Sequence, residues 1–441
     1  MNISEITQAL KDGKLTAHAL TSSYLEKINA NKHLNAVIEL NPDALKDAKN
    51  LDNSKDKSGE LFGVPVLIKD NINTAGRMHT SAGSLALSNN IAPVDAPIVQ
   101  KLRRAGAIIL GKSNLTEFSN YISSNMKNGY STLGGQTISA HNKDADTSGS
   151  SSGSAVAVSA GLCVCAVGTE TYGSIISPSQ NAGIVGIKPS DGLLIKDGII
   201  PISHTLDTSG PMASCIDDAR IMLSTLSGLD YRRPRDNDLS NMRIGIYRQN
   251  HAIMHKVVPP QWQEESEKLL TCLEKAGATL VELPEVQIPT DFVYDIMNYE
   301  LKHAMNNYLS RCNNPNILQS LEDIIEFNRA NEQAIKYGQD LFIKATDPSN
   351  QGLTDPNYLK AIDERNKAIE SFDNVFKENK IDAIFATSGY FGIAAATGFA
   401  SMTIPIGKTA DNIPLGTSFM AQPFEEDVLI KIGYAVEELL G

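Results

Sequence analysis

A lysine and two serines are the residues of this chain whose types and spacing could do chemistry without a metal or a histidine. Lys69 closes the apolar run VPVLIK, where a fully hydrated ammonium is out of place. Desolvation lowers a lysine pKa and can leave the neutral amine available as a base. Ser150 lies in a Gly/Ser loop, SGSSSGS (148–154), and Ser174 follows GTETYG (168–173). A serine hydroxyl is a weak nucleophile until a base takes its proton, and backbone amides at a glycine turn can hold the oxyanion of a tetrahedral intermediate. Both serines fall within Thr147–Pro189, a stretch dense in Ser, Thr, Gly and Ala whose only charged side chains are Glu170 and Lys188. Its apolar runs AVAVSAGLCVCAVG and AGIVGI mark it as buried rather than as a linker. Buried hydroxyls must be hydrogen-bonded or they cost stability, so such a cluster reads as a site. The chemistry it points to is that of a serine hydrolase lacking histidine. Taken singly, each of the three residues also has an ordinary structural reading.

Other matches to motifs are weaker. Gly106 to Ser113 fits the phosphate-loop pattern G-x-x-x-x-G-K-S, but its intervening AIIL reads as buried strand and no convincing helix follows. Gly149 to Gly153 fits the G-x-S-x-G elbow, yet polar NKDADTS precedes it where an apolar strand is required. His251 and His255 are four apart but lack the glutamate of H-E-x-x-H and sit close to Pro259 and Pro260, so they read as partly exposed histidines. Glu322, Asp323 and Glu326 read as a solvated helix face.

The elements that must position the lysine and serines follow from periodicity and punctuation. Residues 3–29 read as two amphipathic helices broken near Asp12–Gly13 and restarted after Thr16. Residues 61–70 hold a short apolar strand. The run 96–114 reads as a helix, a stop at Gly106, then a buried strand. A small-residue helix from about Ser154, a strand at LCVCAVG (162–168), a turn and a second buried run at AGIVGIKP (182–189) make up the central stretch. A helix at 217–227 precedes the linker-like DYRRPRDND (230–238). Beyond it come strand MRIGIY, helix 262–276, strand ATLVEL, charged helices from about 291 to 378 with a loop near 347–357, strands 382–388 and 400–407, and a helix at 424–440. This alternation argues for an α/β sheet covered on both faces.

With 441 residues, 41% of them hydrophobic, the chain has ample material for a large core. A formal net charge of -12 disfavours nonspecific binding to nucleic acid or anionic membranes. No apolar run approaches the ~20 residues of a membrane span. The N-terminus MNISEITQALKDGKL lacks a signal-peptide core, and the five cysteines show no C-x-x-C pair, so a cytoplasmic location is expected.

In order along the chain, VLIKDNI, SGSSSGS and GTETYGSI resemble the amidase signature family, whose pattern is a strand ending Lys-Asp, then G-G-S-S-G-G-S, then G-T-D-x-G-G-S-I. The phrases TSAGS (80–84), RRAGAIILGKSNLTEFS (103–119), GGQT (134–137) and GIVGIKP (183–189) are similar to that family too, and the likeness runs from about Ser4 to Leu226 and, more thinly, from Asp382 onward. The resemblance implies a single amidase domain over 1–441 with a large mixed twisted β-sheet covered by helices. Its catalytic core would span about 60–227, a helical substrate-side region about 240–380, and the strands and helix of 381–441 would return to the core. It also implies roles: Lys69 as neutral base, Ser150 as bridge, Ser174 as nucleophile forming an acyl-enzyme. Backbone amides of Thr171, Tyr172, Gly173 and Ser174 would form the oxyanion hole, and the Gly149–Ser150 peptide would be cis. Ser119 and Tyr172 are candidates for the substrate pocket. No cofactor or metal is implied; the partner is a small-molecule or peptide amide, acted on by a monomer or homodimer. Ser152, Glu170 and Ile176 depart from the family pattern in the manner of bacterial peptide amidases, which remove the C-terminal amide of peptides. The phrases TSAGSLAL, GGQT, DGIIPIS and MNYELKHAMNNYL point the same way. Tyr172 is the oddest departure, since Gly or Asp is usual there; it could close part of the acyl pocket, strain the turn or point outward. Two other functions stay open: a glutamine-hydrolysing component of a tRNA-dependent amidotransferase, and an inactive relative whose site Tyr172 has blocked.

Overall fold

The computed structural model describes residues 1–248, 260–284, 289–312, 318–386 and 392–440. The pair His251 and His255 lies outside them. Among the described residues thirteen strands are numbered in chain order. The first five are β1 Val37–Leu40, β2 Pro65–Lys69, β3 Ile108–Ser113, β4 Tyr130–Ser131 and β5 Gly135–Gln136. Next come β6 Cys165–Glu170, β7 Val185–Lys188, β8 Thr208–Ala213, β9 Arg243–Tyr247 and β10 Thr279–Glu282. The last three are β11 Ala383–Ala386, β12 Ala400–Lys408 and β13 Pro414–Ala421. Apart from a small β4–β5 hairpin, they form one sheet in the order β1-β3-β2-β6-β8-β7-β12-β13-β11-β9-β10. It is mixed: β2 runs parallel to β3 and β6, and β9 parallel to β10 and β11, while β8, β7, β12 and β13 pair antiparallel.

Successive side chains of a strand point to opposite faces, so a strand buried at every position is covered on both. β2, β3, β6, β7, β8, β11 and β13 are buried throughout, as expected of a sheet with helices on either side. The helices open where the sequence punctuates them. Thr16 caps Ala17–Ala30 by accepting from Ala19 N–H at 3.1 Å. Pro97 starts Pro97–Arg104, and Gly106, at φ 88°, separates it from β3. The helix Ser152–Ser159 is buried from Ser152 to Val158, as a helix of small residues with no polar face must be. The charged region resolves into helices Phe292–Arg311, Leu321–Ala330, Asp340–Ala345 and Pro356–Asn379. Glu322 pairs there with Lys302 at 2.5 Å and Glu326 with Arg329 at 2.7 Å, both at the surface.

Among the described residues several elements differ from the sequence reading, four of them next to the site or within the sheet. A helix, Ile176–Ala182, stands where a turn is expected, and β1, β8 and β13 are additional strands. The segment TSGPMA of β8 holds a glycine and a proline, which usually argue against a strand interior. Gly210 is there for close approach: a Cβ would lie 2.1 Å from the Ile187 carbonyl oxygen on the neighbouring chain segment.

Candidate active site

β2 delivers Lys69 into the interior with none of its surface exposed. Its Nζ lies 2.7 Å from Ser150 Oγ, 2.8 Å from Thr169 Oγ1 and 3.3 Å from the Thr169 carbonyl oxygen, all uncharged partners. Burial therefore pushes its pKa from 10.5 down to about 7, with Asp207 and then Glu170 pulling the other way. Thr169 Oγ1 also accepts from Asn71 Nδ2 at 3.0 Å, and the same amide donates to Ser119 Oγ at 3.1 Å.

Ser150 follows a cis Gly149–Ser150 peptide and is fully buried. Its carbonyl accepts from Thr116 N–H at 3.0 Å, fixing the loop against the segment after β3. Ser151, the central serine of the G-x-S-x-G match, is turned to β6: its Oγ donates to the Thr169 carbonyl at 3.0 Å and accepts from Thr169 N–H at 3.2 Å.

Ser174 stands after β6 on a turn that passes through Gly173 at φ 92°, a backbone conformation glycine adopts without a steric penalty. Two carboxylates hold that turn. Glu170 Oε2 accepts from Ile175 N–H at 2.6 Å and Ile176 N–H at 3.0 Å, so the residue capping the helix Ile176–Ala182 comes from the end of the preceding strand. Asp207 Oδ1 accepts from Thr171 Oγ1 at 2.5 Å, and its Oδ2 accepts from Ile202 N–H at 2.9 Å and Ser203 N–H at 3.1 Å. Burial raises the Asp207 pKa to about 6. The Ser174 carbonyl accepts from Ser151 N–H at 3.2 Å, which joins the two serine segments through the backbone. Among the described residues the Ser150 and Ser174 hydroxyls form no hydrogen bond with each other; Ser174 Oγ belongs to a residue 9% exposed at the cavity wall.

That cavity measures about 760 Å³. Thr171, Tyr172 and Ser174 line it on the turn, with Ser148 and Gly149 beside them. Ser119 and Tyr121 contribute from a segment in which Phe118, Ser119 and Asn120 all have positive φ, at 47°, 56° and 72°. The lining includes Tyr294 and Met297 from the helix Phe292–Arg311, and Gln180 and Asn181 from the helix after Ser174. Among the described residues it contains no Asp, Glu, Lys, Arg or His. Tyr172 does not point away: its hydroxyl lies 2.9 Å from Thr290 Oγ1, and its ring meets that of Tyr294 edge-on.

The structure thus brings Lys69 against Ser150 and sets Ser174, Tyr172 and Ser119 on one cavity. Thr169, Glu170 and Asp207 are contributors that sequence reasoning gave no such part. Lys112 of the G-K-S match is buried in β3, bound to the Ile72 carbonyl and to Thr74 and Thr80 hydroxyls at 3.2 and 3.1 Å, inside strand and not in a phosphate loop. Among the described residues no group of three or more His, Cys, Asp or Glu could hold a metal ion, and no helix is long and apolar enough to cross a membrane.

A family profile described as Amidase matches residues 19–389. A peptide amidase structure from Stenotrophomonas maltophilia superposes with a TM-score of 0.89 at 36% identity, covering 100% of this chain and 97% of that one. An amidase family protein from Bacillus anthracis gives 0.90 at 33% identity, covering 100% and 91%. By sequence, a glutamyl-tRNA(Gln) amidotransferase component from Koribacter versatilis is 32% identical over 85% of this chain and 80% of its own length. With a mixed sheet of this order and a match over most of its length, the chain belongs to the amidase signature family and is an amide hydrolase.

Proposed function

We propose that the protein hydrolyses the C-terminal amide of peptides, or another small neutral carboxamide, through an acyl-enzyme on Ser174. The observation that carries this reading is the buried Lys69 amine 2.7 Å from Ser150 Oγ, beside a cavity that Ser174 lines. A lysine with a pKa near 7 is half neutral at neutral pH, the form a general base needs. In this mechanism Ser174 Oγ attacks the amide carbonyl while its proton passes to Ser150, whose own proton passes to Lys69. The backbone amides from Thr171 to Ser174 receive the oxyanion. The relay then runs in reverse, protonating the leaving nitrogen as the carbon–nitrogen bond breaks, and ammonia or an amine departs from the Ser174 ester. Water attacks that ester with the same base, releasing the acid and restoring the serine. The Ser150 and Ser174 hydroxyls close the relay when substrate binds, since catalytic hydrogen bonds commonly tighten only in the complex.

The second reading, glutamine hydrolysis within a tRNA-dependent amidotransferase, draws on the 32% identity to the Koribacter versatilis protein. The cavity favours the first. Free glutamine brings an ammonium and a carboxylate that must be paired when buried, whereas the described lining is uncharged. A blocked peptide amide brings only amide dipoles, which Gln180 and Asn181 can meet. The five unpaired cysteines suit action in a reducing compartment.

Two measurements test the reading. Ser174→Ala should abolish covalent labelling by a serine-directed fluorophosphonate; full labelling of that variant removes Ser174 as nucleophile. Ammonia release from N-blocked peptide amides should exceed that from free glutamine by about a hundredfold or more. The reverse ranking, with a partner protein co-purifying, would select the amidotransferase reading.

A further inference from the structure

We infer that Tyr172 is a fixed size filter on the cavity, so that the enzyme discriminates against bulky acyl groups beside Ser174. The inference rests on the reading of Ser174 as nucleophile. Tyr172 stands two residues before it and lines the same cavity, so its ring is close to where an acyl group on Ser174 must sit. The ring is held at both ends. Its backbone belongs to the turn that Glu170 and Asp207 secure through Ile175, Ile176 and Thr171. Its hydroxyl lies 2.9 Å from Thr290 Oγ1, just before the helix Phe292–Arg311.

Its ring also meets Tyr294 on that helix with centroids 6.0 Å apart and planes at 68°. The backbone of Tyr294 is tied to the cavity wall, since its carbonyl accepts from Tyr121 Oη–H at 3.3 Å, while its ring is half exposed. Behind the ring lies the apolar cluster of the helical region, to which Tyr121, Ile202 and Met297 of the cavity wall belong and against which Tyr172 packs. To swing aside for a large substrate, Tyr172 must break both the Thr290 hydrogen bond and the edge-on contact, and it has a packed wall behind it. The ring is therefore a wall and not a gate. A glycine at this position would cede the whole ring volume to the cavity. The chemistry that fits is a carboxamide whose acyl residue is compact, such as a glycyl or alanyl amide, with phenylalanyl and tryptophyl amides disfavoured.

The test compares labelling rates of Ser174 by two fluorophosphonates, one bearing an ethyl group and one a naphthyl group, in wild type, Tyr172→Gly, Tyr172→Ala and Tyr172→Phe. Because a ratio is read within each variant, any general loosening of the turn cancels. The bulky-to-small ratio should rise by about tenfold or more in Tyr172→Gly and Tyr172→Ala, and by no more than about threefold in Tyr172→Phe, which keeps the ring but loses the Thr290 hydrogen bond. Thr290→Val, which removes only the latch, should raise it by about threefold and guards against misfolding of the turn variants. The kcat/KM ratio of N-blocked phenylalanine amide to glycine amide should move in parallel. An unchanged ratio in Tyr172→Gly and Tyr172→Ala with labelling intact overturns the filter. Absence of labelling by either probe in wild type overturns the nucleophile reading instead, and the filter with it.

Discussion

The ammonium of Lys69 would be costly where it sits. Its hydrogen-bond partners are neutral oxygens of Ser150 and Thr169, and the carboxylates nearest in effect, Asp207 and Glu170, are committed to Thr171, Ile202 and Ser203 on one side and to Ile175 and Ile176 on the other. Activity should therefore rise as pH passes upward through about 7, where this amine loses its proton, with no limb fixed by histidine. Lys69→Met should lower kcat/KM by ~10²–10⁴, the range for loss of a general base. Stability moves the same way over a higher window. The folded pKa is depressed below that of the unfolded chain, so the unfolded chain binds the extra proton between about 7 and 10.5 and stability climbs with pH across that window. Lys69→Met should raise the thermal midpoint at pH 7 and flatten that climb; a lower midpoint with an unaltered slope would contradict the burial argument. Lys69 was legible because an apolar strand ends on a cation. Thr169 was not, because placing the strand at 162–168 left residues 169 and 170 in a turn. With the strand running to Glu170, alternation sends Thr169 to the Lys69 face and Glu170 to the opposite one.

The turn between β6 and the helix Ile176–Ala182 is the element that determines where Ser174 points. Its helix escapes sequence reading because ISPSQNA has a proline at its third position and few strong helix formers, so only the supplied cap and tertiary packing make it helical. Glu170 supplies that cap, accepting from two buried N–H groups. Glu170→Ala leaves both donors unpaired and should cost about 1–3 kcal/mol of stability. It should lower kcat by about tenfold or more while changing KM little, since under the proposed mechanism it misplaces the Ser174 oxygen and leaves most of the cavity wall intact. Glu170→Gln, which keeps an acceptor oxygen at the same reach, should recover most of kcat. Equal loss in both variants, or a change confined to KM, would count against this positioning part. Asp207 had no sequence signal: it lies far from the turn in the chain, and only the return of the loop before β8 brings it to Thr171. Weak propensity hid β8, with glycine and proline inside it, and β13, which starts on Pro414 and holds Gly416; register with their neighbours holds both in place.

At the scale of the molecule, the sheet does not respect the order of the chain. β12 and β13, from residues 400–421, lie between β7, from residues 185–188, and β11, while β9 and β10 form the far edge. The largest apolar cluster runs from Ile3 to Val436 and takes in strands of both halves, and the stretch 230–238, though it reads as a linker, ties Tyr231 to Glu426 at 3.3 Å. We propose that 1–441 is therefore one folding unit, in which the helical region 240–380 is an insertion that depends on the sheet. Trp262 is the single tryptophan and packs against that large cluster from the helix Pro260–Lys275. Its fluorescence reports the second half of the chain, while far-UV circular dichroism reports the whole. Unfolding in urea should give coincident midpoints by the two probes. A truncation ending at residue 380 should fail to give soluble folded protein, because β7 and β9 lose β12, β13 and β11 and would expose open sheet edges. Separate transitions, or a folded 1–380 fragment that still labels at Ser174, would mean that the active-site half stands alone.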